Sequence, residues 1–257
     1  MQLALFDLDH TLIPFDSGMA WTRFLVDAGV LGADAPDAYL GWCQQAVAGT
    51  LDIHAMHRAT VAPLARFPRA LLAQWGREFE QCLAPQIPPA MRALVQRHQQ
   101  AGDLCAIVTA TTRFIAEPVA RLFGIEQVVA TEAATLDGSP GGTLTGEIAG
   151  LPCWGPHKPA RVVAWLAGLR PVVPATPAGF ARAWFYSDSA GDLPLLTQVS
   201  DPVAVGPDAR LRAVASAAGW PIIEHTSTLQ DTLPNPSRNP PQNRPDSVPT
   251  TGAKFTH

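Results

Sequence analysis

Charge is scarce in this sequence. Asp, Glu, Lys and Arg make up 16% of its 257 residues, against roughly 25% in an ordinary globular chain. No basic excess stands out either: 18 Lys and Arg face 22 Asp and Glu, for a net charge of -4. With no clustered basic stripe, there is no electrostatic case for nucleic acid as a partner. The four cysteines, Cys43, Cys82, Cys105 and Cys153, are scattered without a CxxC pair. That spacing suggests neither a zinc site nor a disulfide framework, and buried free thiols are expected. No run approaches the roughly 18 apolar residues of a membrane span. The N-terminus has no Lys or Arg, and its apolar stretch is broken at Asp7, so no signal peptide and a cytoplasmic location are expected.

What the chain does have is apolar mass, 47% of its residues, enough for one large domain or a core with a smaller insert. Four short apolar runs read as strands of a parallel sheet covered on both faces: Leu3–Phe6, Leu104–Val108, Ala183–Tyr186 and Asp201–Val205. Helical patterns at Arg113–Phe123 and Pro159–Gly168 lie between them. A third, Pro88–Ala101, has Pro in its first turn and Met91, Leu94 and Val95 on one face. Alternation of strand and helix predicts an α/β doubly wound domain. Residues 16–84, rich in Ala, Leu, Gln and Trp at helical spacing, read as a helical insert after the first strand. The core is then 1–15 with 85–225. Turn signals at Asp137-Gly138 and Gly141-Gly142 place a β-hairpin or flap within Thr131–Gly155. From 226 to 257 Pro, Asn, Ser, Thr and Gln dominate, the composition of a disordered tail. Oligomeric state has no signature in the sequence.

The first apolar run ends in Asp7-Leu8-Asp9. Residues i and i+2 of a strand share a face, so two carboxylates there repel unless a cation lies between them or the chain turns. Three other polar clusters have the same setting. Thr109-Ala110-Thr111-Thr112 follows Val108, Ser187 to Asp192 follows Tyr186, and Lys158 precedes a helix. In open parallel sheets, ligands bind beyond the carboxyl ends of the strands. Asp7, Asp9 and Asp188 are then candidates to surround a hard divalent cation, for which carboxylates and waters suit Mg²⁺. The Thr109 hydroxyl, the backbone at Ala110 and the Lys158 ammonium suit the oxygens of a phosphate. Capping and turn roles are the simpler use of each isolated Asp. It is the four clusters together that favour chemistry.

DLDHT at 7–11, the strand end at Thr109, Lys158 and SDSAGD at 187–192 resemble the four motifs of the haloacid dehalogenase superfamily of phosphohydrolases. The helical insert after the first motif resembles its phosphoserine-phosphatase-like subfamily, and the likeness spans about 1–225. It implies a Rossmann-like core, a helical cap, Mg²⁺ as cofactor and a small phosphomonoester as substrate. It implies Asp7 as nucleophile and Asp9 as acid and then base, with Thr109, Ala110 and Lys158 on the phosphoryl group. The metal would be held by Asp7, Asp188 and the backbone carbonyl of Asp9, with Asp192 behind them orienting a water or Lys158. It also suggests Asp16 for a substrate amine and Arg58 for a substrate carboxylate.

One departure is visible. SDSAGDLPLL and the Cys-Trp-Gly stretch at 153–155 resemble less well defined members, some of them histidinol-phosphate phosphatases. Phosphoserine and histidinol phosphate both stay candidates. A phosphotransferase using another acceptor, or a catalytically silent phosphate-binding protein, are the competing readings. His10 reads as a loop residue between the two carboxylates, and His54 and His57 as surface residues.

Overall fold

The computed structural model describes residues 1–169 and 173–224. The strands are β1 (Leu3–Phe6), β2 (Leu104–Thr112), β3 (Gln127–Thr131), β4 (Ala133–Thr135), β5 (Leu144–Ile148), β6 (Ala183–Ser187), β7 (Asp201–Val205) and β8 (Ile222–Ile223). The α-helices are α1 (Ser17–Asp27), α2 (Ala35–Ala48), α3 (Ile53–Val61), α4 (Arg69–Leu83), α5 (Pro89–Gln100), α6 (Arg113–Leu122), α7 (Lys158–Gly168), α8 (Leu193–Leu196) and α9 (Ala209–Ala218).

Alternation along β1 decides its place. All four residues are buried, and successive side chains point to opposite faces. Leu3 and Leu5 join an apolar cluster with Val162, Leu166 and Leu211 from α7 and α9. Ala4 and Phe6 join another with Met91, Leu94 and Val95 of α5 and Ile115 and Val119 of α6. A strand buried on both faces belongs in the middle of a layered sheet. β1 lies there: the strand order is β3-β2-β1-β6-β7-β8, and every pairing in this six-stranded sheet is parallel. The chain builds outward from β1 on one side, then returns and builds outward on the other. The order reverses between β1 and β6, the switch point at which doubly wound sheets open a ligand crevice.

Residues 17–83 between β1 and α5 are helical, with no strand among them. Asp16 caps α1, accepting a hydrogen bond from the Met19 N–H at 2.7 Å, and Asp52 caps α3 in the same way. α4 packs against α6, with Gly76 facing the Pro118 ring, where a Cβ would make an ordinary contact at 3.5 Å. At the same junction Trp21 stacks on Phe24 and meets Phe79 edge to face. β4 and β5 form an antiparallel hairpin outside the main sheet that packs on α3.

Several expectations need correction. β2 runs on to Thr112, with a register shift after Val108, so the polar cluster after Val108 is itself strand. β3 and the two-residue β8 were not foreseen; they are the two edge strands of the sheet. Cys153 is buried but Cys82 is exposed and Cys43 and Cys105 are half-buried. His57 is buried rather than on the surface, its Nδ1 2.7 Å from the Gly146 carbonyl. The 226–257 tail lies outside the described residues.

A polar network is buried in the α5 face of the sheet. His98 Nδ1 lies 2.7 Å from Asp103 and Nε2 lies 2.8 Å from the Tyr186 hydroxyl, among the Phe6, Trp184 and Tyr186 rings. Burial lowers the His98 pKa below 6.5 although Asp103 opposes it, so the neutral ring donates from Nδ1 and accepts from Tyr186. Removing the hydroxyl in Tyr186→Phe orphans Nε2, and a loss of about 1–3 kcal/mol is expected in urea unfolding. The sign of the pH effect follows. The folded ring binds fewer protons than the unfolded one, so this stabilisation is full above 6.5 and falls away as pH drops below it. In His98→Gln that part of the acid slope disappears; an unchanged slope would contradict the assignment.

Candidate active site

Parallel pairing brings two strand ends side by side. The Asp7 N–H donates to the Tyr186 carbonyl at 2.9 Å, so Asp7 after β1 and Asp188 after β6 leave the sheet at the switch point together. Thr11, in the tight turn after β1, has its hydroxyl 3.3 Å from Asp7 Oδ2 and 3.2 Å from Asp188 Oδ1. That turn carries His10 at a φ of 57°, a left-handed conformation that His adopts more readily than branched residues do.

From the α7 face comes Lys158, one of two lysines in the chain. The residue is 3% exposed, and its ammonium lies 2.8 Å from Asp7 Oδ1 and 2.7 Å from Asp192 Oδ2. Asp192 also accepts from the Ser187 hydroxyl at 2.7 Å, which fixes it to the end of β6. Burial alone would depress the Lys158 ammonium, yet Asp192 and Asp7 hold its pKa above the ordinary lysine value.

One ammonium does not balance the carboxylates. Burial, then the charges of Asp7 and Asp192, push Asp188 up to about 8. Burial likewise raises Asp7, with Lys158 opposing. The surplus negative charge lies where Asp7 Oδ2 and Asp188 Oδ1 both approach Thr11. An all-oxygen pair of carboxylates fits a hard divalent ion such as Mg²⁺, which is bound through one or two carboxylates and keeps several waters. Among the described residues no three His, Cys, Asp or Glu side chains form a cage. The Asp9 side chain is engaged elsewhere, by Ser17 and Thr111, which leaves the Asp7 and Asp188 carboxylates facing Thr11.

Asp9 turns the other way. Its Oδ1 accepts from the Ser17 N–H at 2.7 Å and its Oδ2 from the Thr111 hydroxyl at 2.6 Å. Burial first, then the charge of Asp16, push its pKa up to about 7, with the Ser17 and Thr111 bonds opposing. The buried Thr109 hydroxyl accepts from the Thr111 N–H at 3.1 Å, which leaves its own proton free to donate. Ala110 follows it, half-buried, on β2. So the structure gathers Asp7, Lys158, Asp188 and Asp192 in one bonded group and ties Asp9 to the Thr109 strand end beside it.

The two specificity candidates behave differently. Asp16 lies near the site: it adds charge to Asp9's surroundings and accepts from the Tyr39 hydroxyl at 3.0 Å. Arg58 is not brought to the carboxylates. It sits on the α3 face against the hairpin, in an exposed 3.2 Å ion pair with Glu147, of a kind worth about 0–1 kcal/mol. Sequence reading missed Thr11, Ser17, Thr111 and Ser187. The repeated Thr in 109–112 was the one signal available for Thr111.

The family model described as haloacid dehalogenase-like hydrolase matches residues 4–197. The chain is 41% identical over 223 residues to a histidinol-phosphatase of Neisseria meningitidis, covering 86% of this chain and 97% of that protein. It is 33% identical over 229 residues to a phosphoserine phosphatase of Mycobacterium tuberculosis, covering 85% of this chain and 69% of that one. A solved Bordetella pertussis protein of unknown function superposes with a TM-score of 0.78 at 38% identity, covering 87% of this chain and 98% of that one. A solved phospho-aspartyl intermediate analogue of phosphoserine phosphatase shares the fold, with a TM-score of 0.58 at 16% identity over 89% of this chain and 95% of that one.

Two outcomes test the charge balance. Lys158→Met leaves buried carboxylates unpaired, and without added metal it should lose about 3–5 kcal/mol in urea unfolding. Mg²⁺ should raise the melting temperature of the wild type, by about 2.7 kcal/mol of stabilisation at a hundred times its Kd. Asp188→Asn should fold and lose that response; a full Mg²⁺ response in the variant would move the metal elsewhere.

Proposed function

We infer that this chain, which belongs to the haloacid dehalogenase-like hydrolase family, is a phosphatase that hydrolyses a small phosphomonoester through a covalent intermediate on Asp7. The observation that carries the reading is the Lys158 ammonium clasped between Asp7 and Asp192 at the switch point, with Asp188 alongside. It supports a reading in which Asp7 is the nucleophile, Lys158 a fixed cation, and Asp7 with Asp188 the oxygens for a metal.

In this reading the Asp7 carboxylate attacks phosphorus. The Asp7 oxygen–phosphorus bond forms as the bond to the leaving alcohol oxygen breaks, and Asp9 gives that oxygen its proton. Water then attacks the same phosphorus and passes a proton to Asp9, and the Asp7 carboxylate is restored. Splitting the displacement in two lowers each barrier, and one residue serves as acid and then base. Lys158 and the Thr109 hydroxyl hold the phosphoryl oxygens, with Asp192 keeping Lys158 in place as Asp7 reacts. Mg²⁺, held by Asp7, Asp188 and the Asp9 carbonyl, would offset their charge and polarise the phosphoryl group.

The leaving-group side favours one class of substrate. Asp16, which accepts from the Tyr39 hydroxyl and adds negative charge near Asp9, supports an amine on the substrate, and the cation proposed for a carboxylate, Arg58, is paired with Glu147. We therefore assign an amino-bearing phosphomonoester without a carboxylate, of which histidinol phosphate is the type; the similarity to a histidinol-phosphatase supports this.

Mg²⁺-dependent phosphate release from p-nitrophenyl phosphate tests the activity, and a panel of phosphomonoesters tests the class. Histidinol phosphate should exceed phosphoserine in kcat/KM by at least about tenfold, or 1.4 kcal/mol; the reverse order would reassign the substrate. Asp7→Asn should abolish turnover and phosphoenzyme alike. Asp9→Asn should let phosphoenzyme accumulate in a rapid quench; normal turnover in either variant would refute its role.

A further inference from the structure

Asp9 is held by two groups from separate parts of the fold. Ser17 opens α1, so its backbone N–H is one of the free donors at a helix start, and it points at Asp9 Oδ1. Thr111 belongs to the far end of β2, 102 residues away in sequence, and its hydroxyl reaches Asp9 Oδ2 at 2.6 Å, shorter than the Ser17 bond. The Ser17 and Thr111 hydroxyls are themselves 3.4 Å apart, so the three residues close a small ring. Thr111 is in turn fixed through its own N–H to the Thr109 hydroxyl. A side chain that touches neither the metal-suited pair nor Lys158 thus joins the phosphate-gripping strand end to the acid–base carboxyl.

We propose that Thr111 is a positioning residue, which sets the Asp9 carboxyl toward the leaving-group oxygen. This rests on the reading of Asp9 as acid and base given above. The torsion that turns a carboxyl is broad, so Asp9 needs both anchors to present one oxygen in a fixed direction. The two anchors differ in chemistry. A backbone N–H can only donate, which suits the carboxylate. The Thr111 hydroxyl donates to Oδ2 of the carboxylate, and with the acid proton on Oδ1 the same oxygen is the carbonyl of the carboxylic acid and still accepts, so the Thr111 bond survives both forms that Asp9 passes through in one turnover. The carboxyl then stays aimed while its proton moves to the alcohol oxygen as the phosphorus–oxygen bond breaks.

Leaving-group chemistry separates this role from a structural one. p-Nitrophenolate departs without a proton, whereas an aliphatic alkoxide needs one. Thr111→Val keeps the branched shape suited to a strand end and removes only the hydroxyl; Thr111→Ser keeps the hydroxyl. Rapid-quench phosphoenzyme formation would be measured for the full chain with Mg²⁺, using p-nitrophenyl phosphate and the fastest aliphatic phosphomonoester of the panel. In Thr111→Val the aliphatic rate should fall between about tenfold and a hundredfold, while the aryl rate stays within about twofold and KM is steady. Thr111→Ser should restore most of the aliphatic rate. An equal loss on both substrates, or no loss on either, overturns the proposal. If Thr111→Val melts early, an intact aliphatic rate in Thr111→Ser still supports the hydroxyl, and a collapse there overturns it. Absence of phosphoenzyme in the wild type with both substrates would instead overturn the covalent reading beneath it.

Discussion

An ammonium group with almost no access to water sits between two carboxylates, and the site is organised round that contact. A buried charge is costly unless close, hydrogen-bonded partners compensate it. Lys158 has two, at 2.8 and 2.7 Å, and one of them, Asp192, is braced by Ser187. The pair leaves Asp188 and the outer oxygen of Asp7 short of positive charge. That deficit is what a divalent cation would fill, and a tetrahedral anion could then enter between cation and ammonium. Electrostatic preorganisation of this kind acts before the substrate arrives, so reaction requires little rearrangement of the protein's own dipoles.

The sheet makes the contact possible. Asp7 and Asp188 meet because β1 and β6 are parallel neighbours whose ends face the same way, although 181 residues separate the two in the chain. Lys158 meets them because α7 packs on the Leu3 and Leu5 face of the sheet through Val162 and Leu166. The helical segment enters from the opposite face, and its first residue, Ser17, is already bonded to Asp9. Fold and site therefore share one construction: the apolar layers set the strand order, and the strand order gathers the polar ends.

Much of this was legible in the residues themselves. β1, β6 and β7 are short, wholly apolar or nearly so, and followed by Asp, Ser or Gly; such a pattern has few other meanings in an α/β chain. β8 escaped notice because two residues carry too little pattern, and β3 because its apolar run is only Val128 to Ala130. Asp7, Lys158, Asp188 and Asp192 were readable because four separate clusters, each trivial alone, fall at consistent places relative to strands. Thr11, Thr111, Ser17 and Ser187 were not. Hydroxyl residues are common everywhere, and what marks these is the carboxylate each meets across the fold, a fact of tertiary structure. Arg58 shows the converse: a charged residue in a plausible stretch of sequence whose partner, Glu147, lies on a hairpin that only the fold brings near.

The most direct test of the central contact is a crystal structure of the protein with Mg²⁺ and beryllium fluoride, a tetrahedral mimic of a carboxylate-bound phosphoryl group. The account predicts the fluoride adduct on Asp7, with Lys158 and Thr109 against its fluorines, the metal between Asp7 and Asp188, and Asp192 still on Lys158. An adduct on another carboxylate, or a Lys158 that does not contact the bound group, would contradict it.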